Sequence, residues 1–392
     1  MSFGRMPIAN GFLKEADFKD EFTFDLNLGF CDQCKMVQLT ELVDRERMFH
    51  EEYAFFSGTS SRMAAHFQAF AGWVGSTYLG LEDPLVVEIG SNDGIMLQHF
   101  QQAGIRHLGI EPSANVAAVA KEKGVQTMVA FFDEEIAGQI VSDQGQADAF
   151  LGANVMCHLP YLHSVAEGIR ILLKDEGVLI FEDPYLGDIV EKTSYDQIYD
   201  EHAFYFSVTS VSNLFERYRL QVIDAIPQET HGGSMRYVIG HQGKLPVSDR
   251  VDALLKKEND LGLHEAATFD RLRSNIELSR EQLMALLSDV RANGKRVVGY
   301  GATSKSTTVT NYCGITPDLV EFISDTTPIK QGKFSPGAHI PIRPYADFKS
   351  DYPDYALLFA WNHSEEILEK EEGFHGSGGT WIVYVPEVGT RR

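Results

Sequence analysis

Four cysteines stand in 392 residues: Cys31, Cys34, Cys157 and Cys313. So few exclude a small secreted domain stapled by disulfides. No run of about 18 apolar residues occurs, so no segment is expected to span a membrane. The N-terminus, MSFGRMPIANGF, lacks the basic stretch followed by an apolar one that a secretory signal needs. Cations are also scarce: 34 Lys and Arg against 56 Asp and Glu leave a formal charge of −22. So acidic a chain cannot coat itself with a polyanion, which argues against nucleic-acid and anionic-membrane partners. A local basic pocket for one small phosphorylated ligand stays open. Solenoid repeats and low-complexity tracts are missing as well. A soluble cytoplasmic protein is expected, as a monomer or weak dimer.

The composition, 44% hydrophobic and 23% charged, excludes disorder and coiled coil. At roughly 150 residues per domain the length admits two to three domains. The texture changes twice along the chain. Residues 1–60 are short and irregular around GFCDQCKMVQL. Residues 61–245 alternate apolar strands with helical patterns. Residues 246–392 open with a charged helical connector, carrying Leu254, Leu261, Leu272, Ile276, Leu283 and Leu287 at roughly helical spacing, and then return to strand–helix alternation. In the middle region PLVVEIGS, HLGIEPS, QTMVAFF, DAFLGANVMCHL and GVLIFEDP read as strands. NDGIMLQHFQQAG and ANVAAVAKEKG read as helices that stop at Gly104 and Gly124. Alternation of this kind implies an α/β fold: a central Rossmann-like parallel sheet with helices on both faces, a small irregular N-terminal domain and a second Rossmann-like unit at the C-terminus.

Glycine punctuates the first strand end. Glu88-Ile89-Gly90-Ser91-Asn92-Asp93-Gly94 closes a strand and opens a helix, and Gly90 and Gly94 let the backbone turn sharply close to a ligand. The E-x-G-x-x-x-G spacing differs from the dinucleotide fingerprint and suits the amino-acid moiety of S-adenosylmethionine (SAM). Glu111, at the end of the next strand, can accept two hydrogen bonds from ribose hydroxyls. Phe131 and Phe132 end the third strand, where an adenine ring would stack, and Asn154 ends the fourth, near the expected methyl donor. Glu88, Gly90, Asn92, Gly94, Glu111, Phe132 and Asn154 are thus the candidate cofactor residues. The plainer alternative makes the glycines turn formers and the phenylalanines core. A second glycine turn, Gly299-Tyr300-Gly301, precedes Lys305 at a helix start. A helix N-terminus with a lysine favours a phosphate. No acidic residue but Asp325 offers a ribose contact, so a substrate diphosphate fits better than a nicotinamide.

Tyr195-Asp196-Gln197-Ile198-Tyr199-Asp200-Glu201-His202 is the most unusual stretch. It packs two tyrosines, three acids and a histidine just past strand five, where open parallel sheets bind ligands. Chemistry on carbon needs a base for a C–H proton and donors for the developing enolate. His202 suits the base; Tyr199 can donate to the enolate oxygen; Glu201 can orient the imidazole or a substrate hydroxyl. His158 and His231 are further candidates, and a capped surface turn is the bland alternative. Cys31-Asp32-Gln33-Cys34 is half of a structural zinc ribbon, with no second C-x-x-C to complete it.

The chain resembles the bacterial deoxysugar C-methyltransferases that act on nucleotide-linked 4-keto sugars. The resemblance is carried by CDQCKMVQL, MFHEEYAFFSG, VVEIGSNDGIML, LGIEPSANVA, FEDPYLGDIVEKTSYDQIYDEHAFYFS, HGGSMRY, VVGYGATSKSTTVTN, DTTPIKQGKFSPGAHIPI and LLFAWNH, from about residue 20 to the end. It implies a zinc-binding N-terminal domain, a central SAM domain and a C-terminal Rossmann-like domain, with substrate between the last two. By resemblance the base is His202, flanked by Tyr199 and Glu201, and Tyr53 joins the catalytic set. Substrate contacts are expected from Tyr195, His158, His231, Tyr300, Lys305 and Lys330. Family members carry another C-x-x-C upstream of the segment matching Met6-Pro7-Ile8-Ala9-Asn10. This sequence begins just before that segment, so Cys31 and Cys34 are expected to hold zinc incompletely or not at all. The implied reaction is methyl transfer from SAM to C3 or C5 of a nucleotide-diphospho-4-keto-deoxyhexose. The rivals are O- or N-methylation of a sugar, and a non-catalytic SAM or nucleotide-sugar binding protein.

Overall fold

A computed structural model describes residues 1–48, 61–80 and 82–392. Strands β1 (Ser2–Pro7), β2 (Thr23–Phe30) and β3 (Val37–Leu39) form an antiparallel meander at the N-terminus. The helix Ser61–Thr77 leads into the central sheet. There β4 (Leu85–Ile89), β5 (Arg106–Ile110), β6 (Thr127–Met128), β7 (Ala147–Ala153) and β8 (Leu173–Pro184) run parallel. Residues of β4 are all buried, as expected for a strand covered on both faces. The two-residue β9 (Phe204–Tyr205) leaves this sheet and pairs with β3 through Val37 and Gln38. Strands β10 (Leu220–Gln228) and β11 (Ser234–His241) form an antiparallel hairpin that extends the central sheet beyond β8. Its order is β10-β11-β8-β7-β4-β5-β6. The hairpin is an element the sequence pattern leaves unassigned.

Helices Asp249–Leu261 and Ala266–Ala292 form the connector. Beyond them β12 (Val297–Tyr300), β13 (Ile323–Asp325), β14 (Ile342–Pro344), β15 (Tyr355–Leu358) and β16 (Thr380–Val383) make a second parallel sheet, edged by antiparallel β17 (Gly389–Arg391). No described helix is long and apolar enough to cross a membrane.

The expected strand QTMVAFF is shorter in the structure. Only Thr127 and Met128 pair, with Gly109 and Ile110 of β5, because β6 is the sheet edge and no further strand supports it. Phe131 and Phe132 follow it as loop. The order of the central sheet reverses at β4, with β5 on one side and β7 on the other. In open parallel sheets that switch point, at the carboxyl ends of the strands, is where ligands bind.

Candidate functional site

A cavity of about 390 Å³ opens there, walled on one side by the ends of β4, β5 and β7 and on the other by the C-terminal unit. Gly90, Asn92, Glu111, Phe132 and Asn154 all line it. Gly90 has φ +61°, and a Cβ there would come within 2.6 Å of Val155. Asn92 and Asn154 also take left-handed backbone, φ 49° and 53°, a conformation asparagine tolerates better than most residues. The Glu111 carboxylate accepts from the backbone N–H of Asn92 at 3.0 Å and of Ser113 at 2.8 Å. Burial raises its carboxyl and those two donors oppose the rise. Those bonds leave lone pairs for ribose hydroxyls, and Phe131 and Phe132 offer an apolar wall for a base. The residues therefore fit SAM.

Two of the expected cofactor residues do not reach the cavity wall. Glu88 is buried inside the sheet, and burial first, then the Glu111 and Asp93 charges, push its carboxyl well up. Gly94 faces Val125 and Ala120, where a Cβ would crowd at 3.0 and 3.2 Å, so it serves helix packing.

The polar stretch 195–202 starts as a single 3-10 turn, Tyr195–Gln197. His202 Nδ1 lies 2.8 Å from the Gln197 carbonyl and its Nε2 lies 2.8 Å from the Tyr199 hydroxyl. A carbonyl only accepts, so Nδ1 carries the proton. Burial, reinforced by His158, holds the imidazole well below its usual pKa, so Nε2 is bare and accepts from Tyr199. The His158 ring stacks on His202 with centroids 5.3 Å apart. Tyr199, Glu201 and His158 line the cavity, whereas His202 sits behind Tyr199. The Tyr199 hydroxyl thus stands between His202 Nε2 and the cavity and donates to that nitrogen.

Glu201 accepts from the Asn10 side chain at 2.7 Å, and Asp200 accepts from the Ala9 backbone at 2.8 Å. Thr307 donates to the Ala9 carbonyl at 2.8 Å. The N-terminal segment is therefore stitched into the site, and Asn10 lines the cavity. Leu39 N–H to the Ala203 carbonyl, 2.9 Å, ties β3 to the residue after His202.

From the C-terminal unit come Thr303, Ser304 and Lys305, at the start of helix Ser304–Cys313, and Lys330. Lys305 Nζ donates to the His231 carbonyl at 3.0 Å and to Asn362 at 3.4 Å. Lys330 Nζ donates to the Ala302 carbonyl at 2.8 Å. Burial lowers both ammonium groups; Asp196 opposes it at Lys305, and Asp325 with Glu201 at Lys330. His158 and His231 line the same cavity, and burial takes them down to about 3 and about 4. Two expected substrate residues are elsewhere. Tyr195 is fully buried with its hydroxyl 3.5 Å from Cys313 Sγ. Tyr300 donates to Glu371 at 2.7 Å inside an aromatic cluster with Phe348 and Trp381. Tyr53 lies outside the described residues.

Residues 59–225 match the family model described as methyltransferase domain, 229–386 the C-methyltransferase C-terminal domain, and 1–49 a "Putative zinc binding domain". C-methyltransferase NovU of Streptomyces niveus is 35% identical over 390 residues, 99% of this chain and 92% of that protein. The chain belongs to the C-methyltransferases. It is a SAM-dependent enzyme of that family. Among solved structures, a SAM-dependent methyltransferase from Anabaena variabilis ATCC 29413 is 17% identical with TM-score 0.36, over 45% of this chain and 84% of that one. Magnesium protoporphyrin IX methyltransferase from Synechocystis PCC 6803 is 13% identical with TM-score 0.34, over 46% and 79%.

This C-methyltransferase carries site residues that its sequence alone does not point to. Met63 and Phe67 of helix Ser61–Thr77 line the cavity, and so does Glu182 near the end of β8. Glu182 accepts from His66 on that helix at 2.6 Å and from Arg236 of β11 at 2.6 Å. Burial alone would raise the Glu182 carboxyl, and these two partners hold it below its usual value. The Arg236 guanidinium stacks on Phe70 and Trp73 at 4.0 and 4.7 Å. A buried carboxylate bonded by His66 and Arg236 thus clasps the helix to the sheet beside the cavity. Cys31 and Cys34 are half-buried free thiols. They supply two of the four donors a structural zinc needs, and among the described residues no His, Cys or carboxylate group of three or more includes them.

Proposed function

We propose that the enzyme transfers a methyl group from SAM to a ring carbon, C3 or C5, of a nucleotide-diphospho-4-keto-deoxyhexose. In this reading 1–60 belongs to a zinc-binding type of unit, 61–245 is the SAM-binding unit and 246–392 the substrate unit. The observation that supports it is one cavity shared by Glu111, two buried lysines and Tyr199, whose hydroxyl bonds His202 outside the lining. SAM, when bound, supplies an electrophilic methyl to a carbon nucleophile.

The protein's part is to make that nucleophile. The 4-keto group acidifies the neighbouring C–H. Tyr199 gives its phenolic proton to the bare His202 Nε2 and takes the carbon proton on its oxygen. The C–H electron pair becomes the enolate, and the resulting imidazolium keeps its Nδ1–H on the Gln197 carbonyl. Burial favours a neutral base before reaction and strengthens the attraction between imidazolium and enolate after it. Glu201, oriented by Asn10, takes a sugar hydroxyl, and Lys305 and Lys330 face the diphosphate. Incubation with SAM and a panel of 4-keto-6-deoxyhexose nucleotides should yield a product with a new C-methyl signal by NMR. A methyl found on oxygen, or no product across the panel, would remove this reading.

A further inference from the structure

The reaction as drawn leaves one buried acid in the 195–197 turn unused. Asp196 is fully buried. Its Oδ2 accepts from Trp361 Nε1 at 2.6 Å and from the Tyr384 hydroxyl at 2.7 Å. Both donors belong to the C-terminal unit: Trp361 follows β15 and Tyr384 follows β16. The cation facing Asp196 is Lys305, whose ammonium lies 4.7 Å over the Trp361 ring and lines the cavity. A buried carboxylate is weak evidence for stability, since apolar groups of the same shape often serve as well. What this one holds in place is therefore the more informative question.

Asp196 is the middle residue of the turn Tyr195–Gln197. The next residue supplies the carbonyl that accepts from His202 Nδ1. That carbonyl decides which imidazole nitrogen is bare, and only the Nδ1–H tautomer leaves Nε2 free to accept from Tyr199. The chain of contacts runs from Lys305 at the cavity through Trp361 to Asp196, and through one peptide unit to the base. We propose that Asp196 is a positioning residue: anchored by Trp361 and Tyr384 of the substrate unit, it fixes the Gln197 carbonyl and with it the His202 tautomer. The inference rests on Tyr199 and His202 as the proton-transfer pair, and Asp196 itself touches no substrate.

Asp196→Asn keeps the shape and replaces the carboxyl by an amide. Nitrogen-15 NMR of histidine-labelled protein reads the tautomer with no substrate present. The wild type should show His202 protonated on Nδ1, and the variant a mixture of both tautomers. Calorimetry should find SAM affinity within about twofold of wild type, because the contacts to Glu111 and Asn92 are remote. Exchange of the substrate α-proton with deuterated solvent, supported by S-adenosylhomocysteine, should fall roughly tenfold to a hundredfold, the scale of a misplaced catalytic group. Tyr384→Phe and Trp361→Phe each delete one donor and should move the tautomer signal the same way by less; they carry the test if Asp196→Asn does not fold. A pure Nδ1–H signal in all folded variants would overturn the proposal. If no sugar nucleotide exchanges even with wild-type enzyme, the functional reading fails while the tautomer spectra still decide the role of Asp196.

Discussion

Tyr199 is the side chain on which two routes for the proton divide. Its hydroxyl sits 2.8 Å from His202 Nε2, and the ring is part of the cavity wall. If His202 took the carbon proton directly, Tyr199 would have to swing aside and Tyr199→Phe would be mild. If Tyr199 relays it, the phenol is as necessary as the imidazole. We expect Tyr199→Phe and His202→Ala each to slow deuterium exchange by about 10²–10⁴-fold, the usual range for loss of a general base. The double variant should fall no further than the worse single one, because the two groups act as one unit. Exchange near the wild-type rate in Tyr199→Phe, with none in His202→Ala, would return the direct role to His202.

Among the elements, the turn Thr230–Gly232 connects β10 to β11 and packs against Trp361 of the C-terminal unit. Gly232 has φ +89°, and a Cβ on it would collide with the Trp361 ring. Gly232→Ala therefore strains the backbone by about 1–3 kcal/mol and pushes Trp361 off Asp196. The thermal midpoint should drop by several degrees, at roughly 2–4 °C per kcal/mol, with a change in tryptophan fluorescence; an unchanged midpoint and spectrum would contradict the contact. Local elements were readable in advance because their signals are local. Gly90 and Glu111 sit at strand ends in a β-α-β order, and the 195–202 cluster announces itself by composition. Asn10, His66 and Trp361 reach their partners across 191, 116 and 165 residues of sequence, and nothing near them marks the contact. Tyr195 and Tyr300 show the other limit. Adjacency to a motif does not tell which way a side chain faces: Tyr199 meets the cavity while Tyr195, four residues before it, packs against Tyr312 and Tyr384.

The molecule buries several acids and histidines at and behind the cavity, and this couples its stability to pH. Burial pushes Asp183 up to about 8, against hydrogen bonds from the thiol and backbone of Cys157. Burial, with the neighbouring Glu201 carboxylate, also pushes up Asp200, and burial with Glu111 and Asp93 pushes up Glu88. In the unfolded chain such carboxyls ionise near 4. Between about pH 4 and 8 the folded state therefore holds protons that the unfolded state has lost, and stability falls as pH rises through that window. The histidines carry the opposite sign. His158 and His231, down to about 3 and about 4, stay neutral in the folded state while unfolded histidine charges below about 6.5, so their contribution is lost as pH falls. At about pH 6.5 unfolded histidine is still half charged; by about pH 7.5 histidine is neutral in both states and no longer opposes the buried acids. Each such proton is worth up to about 1.4 kcal/mol per pH unit. The acids should thus pull the thermal midpoint of the free protein down from about pH 7.5 to 8.5, and Asp183→Asn, which keeps an acceptor for the Cys157 N–H, should flatten that decline. A midpoint that rises across the same interval would mean that Asp183 is ionised in the fold.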